Sequence, residues 1–590
     1  MKYCKPILIS LIIFCGLLIQ KAPAQTFSQF TTSFSGFSQG TAAWADFDKD
    51  GYLDVLIHGI LSNAQPATKL YRNNQGNFVE VNSGIMALKN GSARWGDFDN
   101  DGDPDLLICG VTDAYNAKTL IYRNDNGVFT NINAGLSGCN NGMAIWGDYN
   151  NDGFIDVLLS GDSLSYHATT LLYKNNGDGS FSDVEAGLPG ALSSALAFGD
   201  YDNDGDLDII LCGDIGGMYS TMIFRNDEGS FTNTNIIFDG AGAGTIHFFD
   251  YDKDMDMDIA FIGNDLTLTP TFKLYRNDGN NEFTEIITAI TGMALGNLAI
   301  ADFDNDGWPD IISTGKTNGC GTSATVLYRN NQAGNFWQSS ASFPDLSYSN
   351  ASWADFDNDG DKDLLLLGLT GTGSTIARLY RNSLGTNAYT PNTPPQTPQG
   401  LTASTDKQTV IIKWNKSTDD NTPAKALSYN LKVGINPGMM EIMGVAADFT
   451  TGAPRLYETG NVCQDTSWTL KGLREGTYFY SVQSCDHSFS NSTFTTEESF
   501  EISINTGVET NTGNSIALFP NPANDKLTII TKAEGKHILL QILGTDGRTI
   551  LEERTNQPVV QKDVSGFTPG IYFIRVLKDG KTEQRKLIIY

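Results

Sequence analysis

One nine-residue acidic motif recurs seven times along this 590-residue chain: DFDKDGYLD from Asp46, DFDNDGDPD from Asp97, DYNNDGFID from Asp148, DYDNDGDLD from Asp200, DYDKDMDMD from Asp250, DFDNDGWPD from Asp302 and DFDNDGDKD from Asp355. The steps are 51, 51, 52, 50, 52 and 53 residues. A period near fifty that holds about four short strands is a propeller spacing rather than a solenoid one. Within each unit a strand ends in the motif (AAWAD, SARWGD, MAIWGD), an apolar strand follows, a third carries LYRN or a variant, and a fourth begins at Phe. Runs such as LDVLIHG and DLLICG, short and bounded by Asp and Gly, have the character of buried strands. The 61 glycines favour tight turns, and no long amphipathic helix is readable.

The Phe that opens the fourth strand stands 19 residues before the next motif at Phe78, Phe129, Phe181, Phe231, Phe283 and Phe336. Phe27 keeps that distance from Asp46 with no earlier repeat to belong to, and the seventh repeat stops at LYRNSLG without a fourth strand. The start of the repeat region is therefore expected to supply the missing strand of the last sheet, leaving no open edge in the ring. The Arg of the Tyr-Arg-Asn elements recurs in nearly every repeat and is expected to pair with a neighbouring acidic loop.

Acidic side chains fall at motif positions one, three, five and nine, with Gly at six. Alternate positions of a tightly turning loop can converge on one cation, and Ca²⁺ takes six to eight oxygens. The expected ligands are Asp46, Asp48, Asp50 and Asp54; Asp97, Asp99, Asp101 and Asp105; Asp148, Asn150, Asp152 and Asp156; Asp200, Asp202, Asp204 and Asp208; Asp250, Asp252, Asp254 and Asp258; Asp302, Asp304, Asp306 and Asp310; and Asp355, Asp357, Asp359 and Asp363. A position-seven carbonyl would add one more donor, for up to seven Ca²⁺. Gly51, Gly102, Gly153, Gly205, Gly307 and Gly360 stand where φ should be positive. Position twelve, which an EF-hand reserves for Glu, is apolar or Ser, and a strand follows in place of a helix. The lack of His and Cys ligands argues against zinc, and the crowd of carboxylates against Mg²⁺. Asn150 removes one charge from the third loop, and Met255 must bend without glycine in the fifth.

The formal charge of -29 comes from acids clustered in the repeats, and no basic stripe for nucleic acid exists. Lys2 and Lys5, an apolar run from Ile7 to Ile19 and Ala22-Pro23-Ala24 read as a secretory signal peptide cut after Ala24. No later stretch is apolar enough for a membrane helix. Six cysteines would remain, at 109, 139, 212, 320, 463 and 485. Cys109 and Cys212 share one repeat position and read as buried small hydrophobes, while Cys463 with Cys485 is the pair to examine for a disulfide. His58, His167 and His247 fall at different repeat positions, so no shared role follows, and any one of them could serve as an acid or base.

Residues 27 to about 385 resemble the FG-GAP/VCBS repeats of integrin α-subunit propellers and bacterial surface proteins. The resemblance implies calcium loops on one face of the ring and ligands on the other. Length variation falls between the second and third strands, at Asp113 to Asn116, Ser165 to His167, Met218 to Ser220 and Lys316 to Asn318. After the Pro-rich TPNTPPQTPQG, the segments around Trp414, Tyr429 and Tyr478 are similar to a fibronectin type III module, with Leu473 to Tyr478 resembling the approach to its tyrosine corner. Phe519-Pro520-Asn521-Pro522, the turn at Asp546-Gly547, Gly570-Ile571-Tyr572 and a basic last strand resemble the type A sorting domain of the type IX secretion system. That resemblance implies passage across the outer membrane of a Gram-negative bacterium, removal of the domain, and release or surface attachment.

The expected fold is all-β: a seven-bladed β-propeller, a fibronectin type III-like sandwich and a small C-terminal sandwich. The expected divisions are a signal peptide 1–24, the propeller 25–387, a linker 388–400, the sandwich 401–505, a linker 506–515 and the sorting domain 516–590. The expected function is adhesion or binding of a glycan or surface protein, with the type IX machinery as export partner. The alternative is a polysaccharide lyase or hydrolase built on the propeller.

Overall fold

The computed structural model describes residues 27–163, 167–318, 322–332, 335–383, 392–503, 516–531, 537–545, 547–578 and 581–589. The signal segment, linker residues 388–391 and 506–515, Asp546 of the expected turn, Cys320, and Ser165 with Tyr166 lie outside the described residues. Every regular element described is a β-strand. No helix among the described residues is long and apolar enough to cross a membrane. The chain forms two compact units, residues 1–504 and 505–590.

The first unit contains seven four-stranded antiparallel sheets, one per repeat. In the first they are Ala42–Ala45, Asp54–Ile60, Pro66–Asn74 and Asn77–Val81. The motif is the connection between first and second strands, and its closing Asp opens the second, as Ala45 pairing with Asp54 illustrates. Second strands such as Asp105–Val111 are buried along their whole length. Both faces are covered because each sheet stacks on two neighbours, which is why these strands read as continuous apolar runs instead of alternating ones.

A hydrophobic cluster fills each of the seven seams between adjacent sheets. Ala42–Ala45 neighbours both Ala93–Gly96 and Leu346–Ala354, so the innermost strands close a ring, the β-propeller arrangement. Closure is completed by Ser28–Phe30, which pairs with Thr375–Arg381 as the outer strand of the last sheet. Its register, Ser28 against Arg381, puts Phe27 level with Asn382, the relation Phe78 bears to Asn73. Phe27 lies against Phe303, Phe343 and Trp353 in the sixth–seventh seam.

Residues 399–502 of the same unit form two three-stranded sheets around Trp468, Tyr429, Leu431 and Val482. Tyr478 donates its hydroxyl to the Arg474 carbonyl at 2.8 Å, pinning the turn into Gly476–Cys485. The Cys463–Cys485 pair is not formed, and both thiols are free. The strand Ser428–Gly434 separates them: its Tyr429 N–H donates to the Cys463 carbonyl on one edge, while Ser428 pairs with Cys485 on the other.

The second unit has a three-stranded and a four-stranded sheet, Ile516–Phe519 leading and Lys581–Ile589 last. Its own core gathers Leu527, Ile529, Leu540, Ile574 and Leu587.

A chain lacking Ser28–Phe30 leaves Thr375–Arg381 without its outer partner. Hydrogen exchange is expected to show amides 375–381 losing protection while Asp208–Ile215 keeps it, with a melting temperature several degrees lower; equal protection in both strands would remove the closing role assigned to this segment.

Candidate metal centres

The seven loops repeat one backbone design. Position six is left-handed in all of them, with φ of 87° at Gly51, 84° at Gly102, 99° at Gly205 and 74° at Met255. Position four is also left-handed, from 55° at Asn151 to 62° at Lys253. Asn tolerates this region, which accounts for five of the seven loops having Asn there; Lys49 and Lys253 hold it under strain.

These bends turn amides toward the carboxylates. Asp46 accepts the Asp50 and Gly51 N–H groups at 3.0 and 2.8 Å, and the same pair of bonds recurs at Asp97, Asp148, Asp200, Asp250, Asp302 and Asp355. The position-nine carboxylate is a clamp: Asp54 accepts Phe47 N–H at 3.1 Å on one oxygen and Asn73 N–H at 2.6 Å on the other. Position three differs. The Oδ1 atoms of Asp48, Asp99, Asp202, Asp252, Asp304 and Asp357 are buried and make no hydrogen bond. In the third loop Asn150 Oδ1 instead accepts Asp152 N–H at 3.1 Å.

Oxygens of Asp46, Asp48 and Asp50 lie within 4.8 Å of one another, as do those of Asp97, Asp99 and Asp101, of Asp200, Asp202 and Asp208, of Asp250, Asp252 and Asp254, and of Asp302, Asp304 and Asp306. An all-oxygen donor set with a buried, unpaired carboxylate oxygen suits a hard cation. Burial raises the carboxyls: Asp46 and Asp97 to about 6, Asp148 and Asp302 to about 7, Asp156 to about 8, and Asp54 and Asp105 to about 9.

The recurring cation of the third strand behaves as expected in four repeats. Arg72 pairs with Asp48 at 2.6 Å, Lys174 with Asp152 at 2.8 Å, Arg381 with Asp357 at 2.6 Å, and Arg329 with Asp304 and Asp306. In the other three Arg123, Arg225 and Arg276 turn to Asp125, Asp227 and Asp278 of their own hairpins. Those are the three repeats with an Asp two residues after the Arg.

Two hydrogen-bond belts tie the loops together, and neither was read from the motif. Position four of one loop reaches the position-six carbonyl of the next: Asn100 to Gly153, Asn151 to Gly205, Asn203 to Met255, Lys253 to Gly307, Asn305 to Gly360, and Asn358 back to Gly51. Between first and second loops, Lys49 pairs with Asp103 instead. The second belt uses the Asn of each Tyr-Arg-Asn element. Asn124 Nδ2 donates to Phe47 O at 2.9 Å in the preceding sheet and to Pro104 O at 3.1 Å in its own; Asn382 and Asn73 do the same across the last two seams, ending on Phe303 and Phe356.

The sandwich of residues 399–502 sits on this loop face. Arg455 donates to Gly153 O at 2.8 Å and Lys471 pairs with Asp256 at 2.7 Å. Lys362 donates to His487 O at 2.8 Å, and Ser488 donates to Asn358 Oδ1 at 2.9 Å. Its backbone comes so close that a Cβ on Gly205 would lie 2.0 Å from the Ile442 carbonyl, and one on Gly360 1.9 Å from that of Asn421. In the fifth loop the substitution for glycine is itself a contact: Met255 packs against the sandwich core and its sulfur accepts the Ser467 hydroxyl at 3.3 Å. The sandwich also brings Asp465 to this loop, where it lies beside Asp250 and pairs with Lys253 at 3.3 Å. Burial foremost, then the Asp465 charge, raises Asp250 to about 8.

His58 and His247 are structural. Both are held neutral by burial, lowered to about 4; His58 bonds Thr41 Oγ1 at 3.1 Å and His247 bonds Leu298 O at 2.8 Å. His167 is exposed on the opposite rim.

Five segments, residues 97–159, 148–211, 200–261, 265–313 and 302–366, match the FG-GAP-like repeat. Residues 517–590 match the secretion system C-terminal sorting domain. The chain carries FG-GAP-like repeats and a type IX sorting domain. That domain directs export to the cell surface or extracellular space and engages the secretion machinery. Karilysin of Tannerella forsythia is 34% identical over 82 residues, which is 12% of this chain and 17% of that protein, so the chain spans about a sixth of its length. Among solved structures, the extracellular domain of the putative hybrid two-component system BT4673 from B. thetaiotaomicron is 10% identical with a TM-score of 0.35, covering 96% of this chain and 59% of its own. The exotype rhamnogalacturonan lyase YesX is 12% identical (TM-score 0.31, 79% and 90% covered). PorZ, a surface component of the type IX secretion system of Porphyromonas gingivalis, is 11% identical (TM-score 0.24, 95% and 82% covered). Resemblance at this level carries no residue correspondence.

The raised carboxyls of the FG-GAP loops fix the sign of a pH effect. Because the folded values exceed those of the unfolded chain, the metal-free fold binds more protons than the unfolded chain from about pH 4 upward. Its stability is full below that value and is lost as pH rises through about 6 to 9. Metal-free protein is therefore expected to melt lower at about pH 8 than at about pH 5, scanned by calorimetry in chelator; the opposite order would show that the loop carboxylates are not destabilised by burial.

Proposed function

We propose that this is an exported calcium-binding propeller protein that holds a glycan or a surface protein on the rim opposite its metal loops. The observation that carries this reading is the seating of the sandwich of residues 399–502 on the loop face, so that this sandwich does not cover the opposite rim. That rim presents the loops between second and third strands, where Tyr115, Met218, Leu266 and Leu268 are each at least 60% exposed. Isolated apolar side chains are ordinary on a surface, but loops of variable length on a rigid ring are where recognition is usually built. A signal peptide at 1–24 and the sorting domain fit delivery of this rim to the outside of the cell.

Calcium is the cation the loops suit: several convergent carboxylates, a tight turn and no nitrogen or sulfur donor. Positions one, three, five and nine would hold it, with the position-seven carbonyl. Its charge offsets the mutual repulsion of each loop, and binding to the folded form alone stabilises that form. The sites are unequal. The third has one carboxylate fewer and its Asn150 oxygen is already engaged, so it empties first; the fifth is strained at Met255 but has Asp465 beside it. Calorimetry with metal counting is expected to show a melting temperature substantially lower in chelator and the D148N variant losing no more than one ion. No bound calcium at millimolar supply, or an unchanged melting temperature, defeats the assignment.

Binding is tested with the full chain on a glycan array and in pulldowns from surface-protein extracts, against a variant combining Tyr115→Ala, Met218→Ala, Leu266→Ala and Leu268→Ala. The expected result is a loss of at least tenfold in affinity with the melting temperature unchanged. Undiminished binding by the variant moves the ligand site elsewhere. Release of new reducing ends or unsaturated sugars from a polysaccharide panel would replace the binding reading with the enzymatic one.

A further inference from the structure

We propose that Cys109 and Cys139 are joined as a disulfide in the exported protein, a covalent staple across the seam between second and third sheets. Cys109 stands in the strand Asp105–Val111 of the second sheet, and Cys139 in the connection that leaves that sheet for Met143–Gly147 of the third. Both are fully buried in one cluster with Leu107, Ala144, Trp146 and Leu159. Both thiols are free in the structure and lie against each other within that cluster. Cys139 also donates to Ser160 O at 3.0 Å in the third sheet, and Cys109 accepts Ser92 N–H at 3.4 Å in the second, so the two sulfurs meet from opposite sides of the seam.

The same two positions recur in every repeat, and Cys212 with Ala241, Ile262 with Met293 and Leu367 with Phe37 likewise fall within one cluster. The first repeat has His58 there with Leu88, whose carbonyl the imidazole contacts at 3.4 Å. The fourth has Cys212 with Ala241 and the sixth Thr314 with Leu346, all fully buried. Only the second repeat places a thiol at both. Cys212 is buried at the equivalent position with Ala241 in place of a second cysteine, which makes it an internal control.

The chain's export takes it through compartments where such pairs persist oxidised. The Cys109 thiolate attacks one sulfur of a disulfide-bearing oxidoreductase, forming a mixed disulfide and expelling the donor's first thiolate. Cys139, deprotonated, then attacks the Cys109 sulfur; the Cys109–Cys139 bond forms and the donor's second thiolate leaves. Two protein thiols are oxidised, one donor disulfide is reduced to two thiols, and the two protons pass to the donor. Burial requires this to precede closure of the seam, and afterwards shields the bond from reductant.

The test uses the full chain exported to an oxidising periplasm, alkylated under denaturing conditions and digested with trypsin without reduction. Residues 95–118 and 124–174 are expected as one linked species, lighter by two hydrogens than the sum of the separate peptides, with Cys212 recovered alkylated. Recovery of Cys109 and Cys139 both alkylated, or linked to other cysteines, overturns the proposal. A stability arm reports independently: reductant in partial denaturant is expected to lower the melting temperature of the parent chain by several degrees and to leave the C139L variant, which has the Leu of the first repeat, unmoved. Equal sensitivity of the two chains also overturns it.

Discussion

The buried Asn of the third strand and the buried Asp that closes the motif form the joint on which the ring depends. Asn124 donates through its backbone to Asp105 at 2.7 Å, through its amide to carbonyls of its own and the preceding sheet, and accepts Gly127 N–H at 2.7 Å. One residue thus fixes the hairpin behind it, the loop beside it and the seam in front. Removing such a side chain strands three backbone groups, each at about 1–3 kcal/mol if buried. Apolar burial in the seams supplies most of the driving force, but it is directionless. The Asn–Asp joint sets the height at which each sheet meets the next, and so holds every loop at the same rim.

That common rim lets a second domain seat on it. The sandwich meets the loops through backbone carbonyls against glycine, at Gly205 and Gly360, and through side chains placed between loops, Arg455 and Lys471. Glycine at position six therefore answers two demands: a φ near 85–100° and room for a facing carbonyl. Met255 meets the first at a cost in strain and turns the second around, filling the space with its own side chain against the sandwich core. The loop that lacks the glycine is thus one whose own side chain reaches the core of the neighbouring domain.

Much of this was legible because it is local or periodic. The spacing of Phe27 from Asp46 foretold the closing strand, and the glycine positions foretold positive φ. The position-four belt was not legible, since Asn100 finds its partner one full repeat away at Gly153 and nothing in DFDNDGDPD marks a side chain that leaves its own loop. The docking of the sandwich and the approach of Asp465 to Asp250 were hidden for the same reason: the 400-series residues show their own strands, not the surface they cover. The choice made by the third-strand Arg could have been read. An Asp two residues on, in the same hairpin, is closer and entropically cheaper to reach than the loop carboxylate, and Arg123, Arg225 and Arg276 all take it.

The three Arg that turn away leave their loops with less fixed positive charge, while Arg72, Arg329 and Arg381 remain on position three of theirs. A position-three carboxylate so paired keeps one oxygen on the guanidinium and the other, Oδ1, buried and unpaired inside the loop. The cation outside orients the carboxylate without occupying the oxygen that faces inward. In the second, fourth and fifth loops, orientation falls instead to the turn alone, and the carboxylates repel one another with less compensation. Nominally identical motifs are thus electrostatically distinct, by a difference that lies one strand away from the motif itself.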